Sequence, residues 1–299
     1  MELLKISNLQ KSFGSKKVLQ GVDLTVPEHS VFGFVGRNGA GKTTTMKAIL
    51  GLQRIDGGSI TVAGREVVFG ETKTNRFIGY LPDVPEFYPF MTPLEYLKLC
   101  GESLGMNRSD IKKQSRELLE LVGLSAEDRR IKGFSRGMKQ RLGVAQALLG
   151  EPKLLICDEP TSALDPLGRK ELLDVLYAVR ERTTVLFSTH ILSDVERICT
   201  HVAFLHDGKI AMQGTSEELK SLSIKEEFVV ESTDPHCLCM LMEQFPNARQ
   251  TETDSLVFAG GREEMGAVFG FLAEHGLAVH RVERVEPSLE SLFMEVISQ

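Results

Sequence analysis
No stretch of this sequence approaches the ~18 uninterrupted apolar residues that a membrane-spanning helix needs, so no transmembrane span is expected. The N-terminal residues have no signal-peptide core, because Glu2, Lys5, Asn8 and Lys11 break up the apolar positions. The expectation is a cytosolic protein unless a partner holds it elsewhere. Cysteine is scarce and unpatterned. There are five, an odd number, and Cys237 and Cys239 stand at C-x-C rather than the C-x-x-C spacing of a redox or zinc site. In a reducing compartment they read as ordinary thiols. No His/Asp/Glu cluster has metal-ligand spacing. No strongly basic tract supplies the footprint of a nucleic-acid binder, and there is no internal repeat or low-complexity segment.

What remains is an ordinary globular composition: 299 residues, 42% hydrophobic, 25% charged, net charge −6. The length suits one large domain or two unequal ones. The charge is unevenly spread. Residues 220–299 hold 6 Lys+Arg against 14 Asp+Glu, whereas residues 1–219 hold 29 against 27. A shift of that size predicts a domain boundary near residue 220.

The first chemical signal is Gly36-Arg-Asn-Gly-Ala-Gly-Lys-Thr43. It follows an apolar run, Val31–Val35, that reads as a buried strand, and precedes a helical pattern over 44–52. This is G-x-x-x-x-G-K-[ST] in its required strand–loop–helix setting. Gly36, Gly39 and Gly41 let the backbone N–H groups turn inward toward phosphate. Arg37, Asn38, Ala40 and Thr44 complete the loop, and the helix start adds a positive dipole end. Lys42 can reach terminal phosphates, and the Thr43 hydroxyl can serve Mg²⁺.

Two further apolar runs end in polar tips. Leu154-Leu-Ile-Cys-Asp-Glu159 delivers Asp158, placed to hold Mg²⁺, and Glu159, placed to polarise an attacking water. Taken alone, such a pair is usually the start of a loop, and its weight comes from coexisting with the loop at 36–43. Val185-Leu-Phe-Ser-Thr-His190 brings His190 to the same sheet edge, as a hydrogen-bonded residue or as a group that senses a γ-phosphate. Phe134-Ser-Arg-Gly-Met-Lys-Gln-Arg141 opens a helix over 137–149 with Ser135 as N-cap. It reads as a simple capped helix or as a second anion-binding helix start that closes a site on another copy.

Together these elements resemble the ATP-binding subunits of ABC transporters, in order, over about residues 1–215. Phe13 stands at the adenine-stacking position, residues 36–43 at the Walker A loop and Ile78-Gly-Tyr-Leu-Pro-Asp83 at the segment that normally ends in Gln. Residues 134–138 stand at the signature, residues 154–160 at Walker B, Ser162-Ala-Leu-Asp165 at the loop crossing the dimer interface, and His190 at the switch position. Phe13 replaces the usual Tyr, and stacking needs only the ring. Asp83 replaces Gln, shorter and charged, so its Mg²⁺ contact would run directly or through water. In the signature, Phe134, Arg136 and Met138 depart from L-S-G-G-Q, while Ser135 and Gly137 remain. Signatures of this kind occur in subunits of type-2 exporters.

The resemblance implies an α/β P-loop ATPase domain over 1–219, with an N-terminal antiparallel β subdomain and a helical insert at about 84–134. It implies ATP and Mg²⁺ as ligands and a homodimer closing head to tail on two ATP. In each site Lys42, Thr43, Asp158 and Glu159 would come from one chain, and Ser135 and Gly137 from the other. A separately encoded integral membrane permease is the implied partner, at the cytoplasmic face of the cell membrane, with no nucleic acid. A soluble ABC ATPase acting on nucleic acid or the ribosome is the alternative. Helices are predicted at 93–104 and 109–123 of the insert, where Phe87, Tyr88, Phe90, Met91 and Tyr96 form either subdomain core or the grip on the membrane subunit.

Residues 220–299 read as β-α-β-β-α-β: strand 226–231, helix 235–243, a hairpin of 247–252 and 255–259, helix 262–275 and strand 277–285. That order predicts a small α+β, ferredoxin-like domain. Leu289, Leu292, Phe293, Val296 and Ile297 then mark one stripe of a last helix after Pro287. The stripe packs on its own domain, or serves as a homodimer contact or a lid.

Overall fold
The computed structural model describes residues 2–222, 226–285 and 288–298. It divides into two compact units, Met1–Ser216 with Val296–Gln299, and Glu217–Glu295. Among the described residues no helix is long and apolar enough to cross a membrane.

In the first unit β1 (Glu2–Phe13) and β2 (Lys16–Pro27) form an antiparallel hairpin, with the alternating burial of strands that face a core on one side. After β3 (Val31–Gly36) and α1 (Lys42–Ile49), β4 (Gly57–Val62) pairs with β1 on its free side and carries the short β5 (Arg65–Glu66). Helix α1 ends at Ile49, earlier than the predicted 52, because Gly51 turns the chain with φ +67°. β6 (Ile78–Leu81) leads into an insert of two helices, α2 (Pro93–Ser103) and α3 (Arg108–Leu121). Thr92 and Glu95 form a capping box on α2, and Asn107 caps α3. Then follow α4 (Arg136–Leu148), β7 (Leu154–Asp158), α5 (Pro166–Ala178), β8 (Thr184–Thr189), α6 (Leu192–Ile198), β9 (His201–His206) and β10 (Lys209–Thr215); α7 (Ser216–Leu222), all but its first residue, belongs to the second unit.

A six-stranded sheet, in the order β10-β9-β3-β8-β7-β6, organises this unit. All its neighbours pair in parallel except β10 with β9. Every residue of β3, β7 and β8 is buried, which explains why these strands read as continuous apolar runs. Parallel pairing puts their C-terminal ends at one edge, with Val35 opposite Thr189 and Asp158 opposite Ser188. Loops leaving that edge are where an open parallel sheet holds its ligands.

The second unit runs β11 (Glu227–Glu231), α8 (Pro235–Gln244), β12 (Ala248–Glu252), β13 (Ser255–Ala259), α9 (Arg262–Glu274), β14 (Arg281–Val285) and α10 (Leu289–Ser298). Its antiparallel order, β12-β13-β11-β14, is that of a ferredoxin-like sandwich. Phe228 and Phe258 stack at 4.9 Å between centroids within a core that includes Leu241, Val268 and Leu272. β14 begins at Arg281 rather than at 277 because its partner β11 has only five residues to pair with. Leu277 and Val279 instead pack on the core as irregular chain. In α10, Leu289, Leu292 and Phe293 are buried as the stripe requires. Pro287 and the side chains of Val296 and Ile297 lie outside the described residues.

Candidate functional site
The site is built where β3 turns into α1. At the end of β3, a Cβ on Gly36 would lie 2.7 Å from the Leu205 carbonyl of β9, so only glycine fits. Gly41, the N-cap of α1, holds φ +114°, and a Cβ there would lie 2.6 Å from Leu19 Cδ2. With no side-chain cap and no acid in the first turn, the amides at the head of α1 are free to meet an anion. A cleft of about 390 Å³ opens over this loop, lined by Phe13, Asn38, Gly39, Gly41, Lys42, Thr43, Thr44 and Glu159. Arg37 and Ala40 line an adjoining depression together with Asn38 and Gly39.

Lys42 is almost fully buried, and its ammonium is fully engaged. It donates to Gly36 O at 2.6 Å and Arg37 O at 3.3 Å, and it pairs with Glu159 Oε1 at 3.0 Å. The last of these has the geometry of an ion contact rather than of a hydrogen bond. The other Glu159 oxygen lies 2.8 Å from His190 Nδ1. The loop lysine, the carboxylate and the histidine thus meet in one chain of contacts that the three apolar runs only suggested.

Glu159 adopts φ +47°, the left-handed region that a non-glycine residue enters at a cost of about 1–3 kcal/mol. Its amide donates to both Ser188 O and Ser188 Oγ, at 3.1 Å each, which holds the turn. Ser188 Oγ in turn donates to Asp158 Oδ1 at 2.6 Å. Ser188 therefore holds the Asp158 carboxylate directly and Glu159 through its backbone amide, a role the apolar run around it did not signal. Its signal was the parallel register that sets it opposite Asp158. Asp158 is buried, with one carboxylate oxygen engaged by Ser188. Tyr80 lies close by, and burial, reinforced by the Asp158 charge, pushes its hydroxyl up to about 12. A second network was also missed. Thr161 Oγ1 donates to Asp194 Oδ2 at 2.6 Å, and Arg169 lies 3.8 Å from the same carboxylate. Burial raises the Asp194 carboxyl against the lowering effect of both partners.

At the mouth of the cleft Phe13 is about half exposed, with Lys11 Nζ 5.2 Å from its ring centroid. Lys11 also bonds Asp56 at 2.9 Å and, with the Ser12 amide, holds that carboxyl below its ordinary range. The exposed ring face suits stacking by a planar base.

The remaining predicted residues stand apart from this cleft. Ser135 caps α4 by accepting from Met138 N at 3.2 Å, and Gly137 follows in its first turn. Asp165 caps α5 by accepting from Gly168 N. Asp83 does not line the cleft either. Its Oδ1 accepts from Ser162 Oγ at 3.0 Å and lies 3.6 Å from the Arg136 guanidinium, while its carbonyl accepts from Gln140 Nε2 at 2.5 Å. Among the described residues no three His, Cys, Asp or Glu side chains group as a metal cluster. A carboxylate such as Asp158 and a hydroxyl such as Thr43 are oxygen donors of the kind suited to Mg²⁺, which keeps most of its waters and shares phosphate oxygens.

Comparisons with known proteins agree with one another. Residues 19–162 match the family described as ABC transporter. The chain is 36% identical to YxlF of Bacillus subtilis, an ABC transporter ATP-binding protein, over 99% of both chains. It is 36% identical to the bacitracin transport ATP-binding protein BcrA of Bacillus licheniformis, over 99% of this chain and 97% of that one. The lantibiotic transport ATP-binding protein SrtF of Streptococcus pyogenes is 40% identical over 74% of this chain and 95% of its own. Among solved structures, an ATP-binding subunit of an ABC transporter superposes with a TM-score of 0.66 at 32% identity, over 74% of this chain and 92% of that one. An ATP-binding cassette in its ADP conformation gives 0.67 at 26% identity, over 73% and 92%.

Proposed function
The chain belongs to the ATP-binding subunits of ABC transporters, and on that premise we propose that it hydrolyses ATP as a homodimer that drives export through a separately encoded membrane subunit. The observation that carries the proposal is the meeting of Lys42, Glu159 and His190 over the phosphate loop. The loop amides and the head of α1 bind the phosphates, and Phe13 stacks on the base. Lys42 exchanges its Glu159 contact for a terminal phosphate oxygen. Glu159, released from the ammonium but still held by His190, accepts a proton from the attacking water, and His190 orients it. Ser188 fixes the Asp158 carboxylate and the backbone turn that carries Glu159, so that both start in place as charge develops. Asp158 and Thr43 would hold Mg²⁺, which when bound supplies positive charge for the phosphate oxygens.

Ser135 and Gly137 stand apart from the cleft of their own chain. In the proposed homodimer they face the γ-phosphate of the opposite copy, with Asp165 in the loop at the interface. ATP then favours the closed dimer because only there does it touch both halves. The names of the bacitracin and lantibiotic relatives favour export over the nucleic-acid alternative. The insert is the surface we assign to the membrane subunit, which would place the protein at the cytoplasmic face of the cell membrane. Phe87 and Tyr88 pack on Tyr96, while Tyr88, Phe90 and Leu94 stay exposed. Purification of the tagged chain from detergent-solubilised cells tests the assignment. An integral membrane protein should come down with it, and recovery of ribosomes or nucleic acid instead would overturn it.

A further inference from the structure
Between α2 and α3 lies a pocket of about 310 Å³. The two helices approach closely because α2 has a glycine where they touch: a Cβ on Gly101 would lie 2.7 Å from Ile111 Cγ1. Each helix gives the pocket one row of side chains at i, i+4 and i+8, which share a helix face. Leu94, Lys98 and Glu102 come from α2, and Arg108, Lys112 and Arg116 from α3. The floor is Ile111 and Ser115, both buried. Leu94 is 42% exposed and forms an apolar entrance. The Ser115 hydroxyl has no hydrogen-bond partner among the described residues. Buried hydroxyls are ordinarily bonded, so this donor at the base of the pocket points to an occupant that carries oxygen.

The rim is cationic. Four cations line the pocket against one acid, Glu102, which lies 4.0 Å from Lys98 with both side chains exposed. Among the described residues none of Arg108, Lys112 and Arg116 has an ion pair. Like charges four residues apart on a helix repel, and an anion laid along the row relieves that repulsion. The whole chain carries −6, so the row is a local concentration rather than the surplus of a basic protein. A free phosphate would meet the cations and leave the apolar entrance unused. An anionic phospholipid uses both: guanidinium groups take its phosphate oxygens in pairs, and its glycerol-ester region covers Leu94. An exposed row at helix spacing also suits a surface of many identical headgroups better than a single partner carboxylate.

We propose that this pocket binds an anionic phospholipid of the membrane surface, with the phosphate on Arg108, Lys112 and Arg116 and the glycerol-ester region on Leu94, above Ser115. The site belongs to this chain alone. It goes beyond the transporter reading, which stands or falls on the membrane subunit and not on lipid.

The test floats the full-length chain with vesicles of phosphatidylcholine, alone or mixed with phosphatidylglycerol. The chain should float with the mixed vesicles only. A basic residue at an anionic surface is worth about fivefold in partitioning, so Arg108→Gln, Lys112→Gln and Arg116→Gln together should lower it on the order of a hundredfold. Glutamine keeps the helix propensity of the residues it replaces. A second triple, Lys47→Gln, Lys73→Gln and Lys209→Gln, removes as many exposed cations elsewhere on the same unit and should cost less than about fivefold. On the unaltered chain, phosphatidylglycerol with a diazirine at the glycerol end of its acyl chain should label the peptide holding Leu94 or Ile111. Failure to float, equal losses in the two triples, or label confined to other peptides overturns the proposal. Release from the vesicles by inorganic phosphate, but not by chloride at the same ionic strength, overturns it in favour of a free anion. A carbodiimide link from Lys112 to a carboxylate of the membrane subunit in the purified complex, without flotation, gives the site to an acidic protein segment instead.

Discussion

Glu159→Gln isolates the chemical step from nucleotide binding. The substitution keeps the side chain's length and its φ of +47°, and the amide oxygen can still meet Lys42 or His190. What it removes is the capacity to take a proton and the negative charge beside Lys42. A positioned general base contributes about 10²–10⁴ in rate, which at about 1.4 kcal/mol per tenfold is about 3–5.5 kcal/mol of barrier. Turnover should therefore fall by that factor. ATP affinity should hold or rise, because the carboxylate 3.0 Å from Nζ that competes with phosphate for the ammonium is gone. The slow variant should also accumulate as an ATP-bound dimer. Steady-state phosphate release, equilibrium binding of a fluorescent ATP analogue and size-exclusion chromatography with ATP measure the three quantities separately. Glu159→Asp is the companion, since it keeps a base but withdraws it by one methylene and should lie between. Turnover of Glu159→Gln within about threefold of wild type, well short of the range for a base, would refute the assignment. A loss of ATP affinity as large as the loss of turnover would make Glu159 a binding residue instead.

Lys42→Ala should weaken nucleotide affinity at least about tenfold, since each hydrogen bond to a charged group is worth about 1.5–3 kcal/mol; isothermal titration calorimetry reads this directly, and unchanged affinity would remove Lys42 from the phosphate site. Ser188→Ala should destabilise the fold by about 1.5–3 kcal/mol in urea unfolding, because it strips a buried carboxylate of its donor, and it should raise the Mg²⁺ concentration for half-maximal ATPase. Asp83→Asn should leave that Mg²⁺ requirement unchanged, because its carboxylate is spent on Ser162 and Arg136; a large shift would assign Asp83 to the metal. Burial raises the Asp194 carboxyl above its ordinary value near 3.8, so between that value and the raised one the folded chain holds a proton that the unfolded chain has released. This contribution to stability is therefore fully present below the ordinary value and lost as pH rises through the folded one. Asp194→Asn should flatten that part of the curve of unfolding midpoint against pH, and an unaltered slope would refute the shift.

The parts of this molecule most legible from sequence are those set by local chemistry. The phosphate loop is one, because Gly36 and Gly41 answer to sterics that only glycine meets. The N-cap Ser135 and the β-α-β-β-α-β order of the second unit are others. What stayed hidden depends on register. Ser188 is an unremarked serine within an apolar run until β7 and β8 are set side by side, when it falls opposite Asp158 and bonds both acidic residues. Thr161 and Asp194 are 33 residues apart and meet only through the packing behind the same edge. Asp83 and Arg136 show the point most sharply. Read one at a time, each is a departure from the family pattern, the first raising a question about metal contact and the second about the signature. In the fold they are partners at 3.6 Å, and Gln140 of the same helix bonds the Asp83 carbonyl. An acid that replaces a neutral amide and a cation that replaces a glycine offset each other electrostatically. The two departures are thus better understood as one change, which ties the first turn of the signature helix to the segment entering the insert.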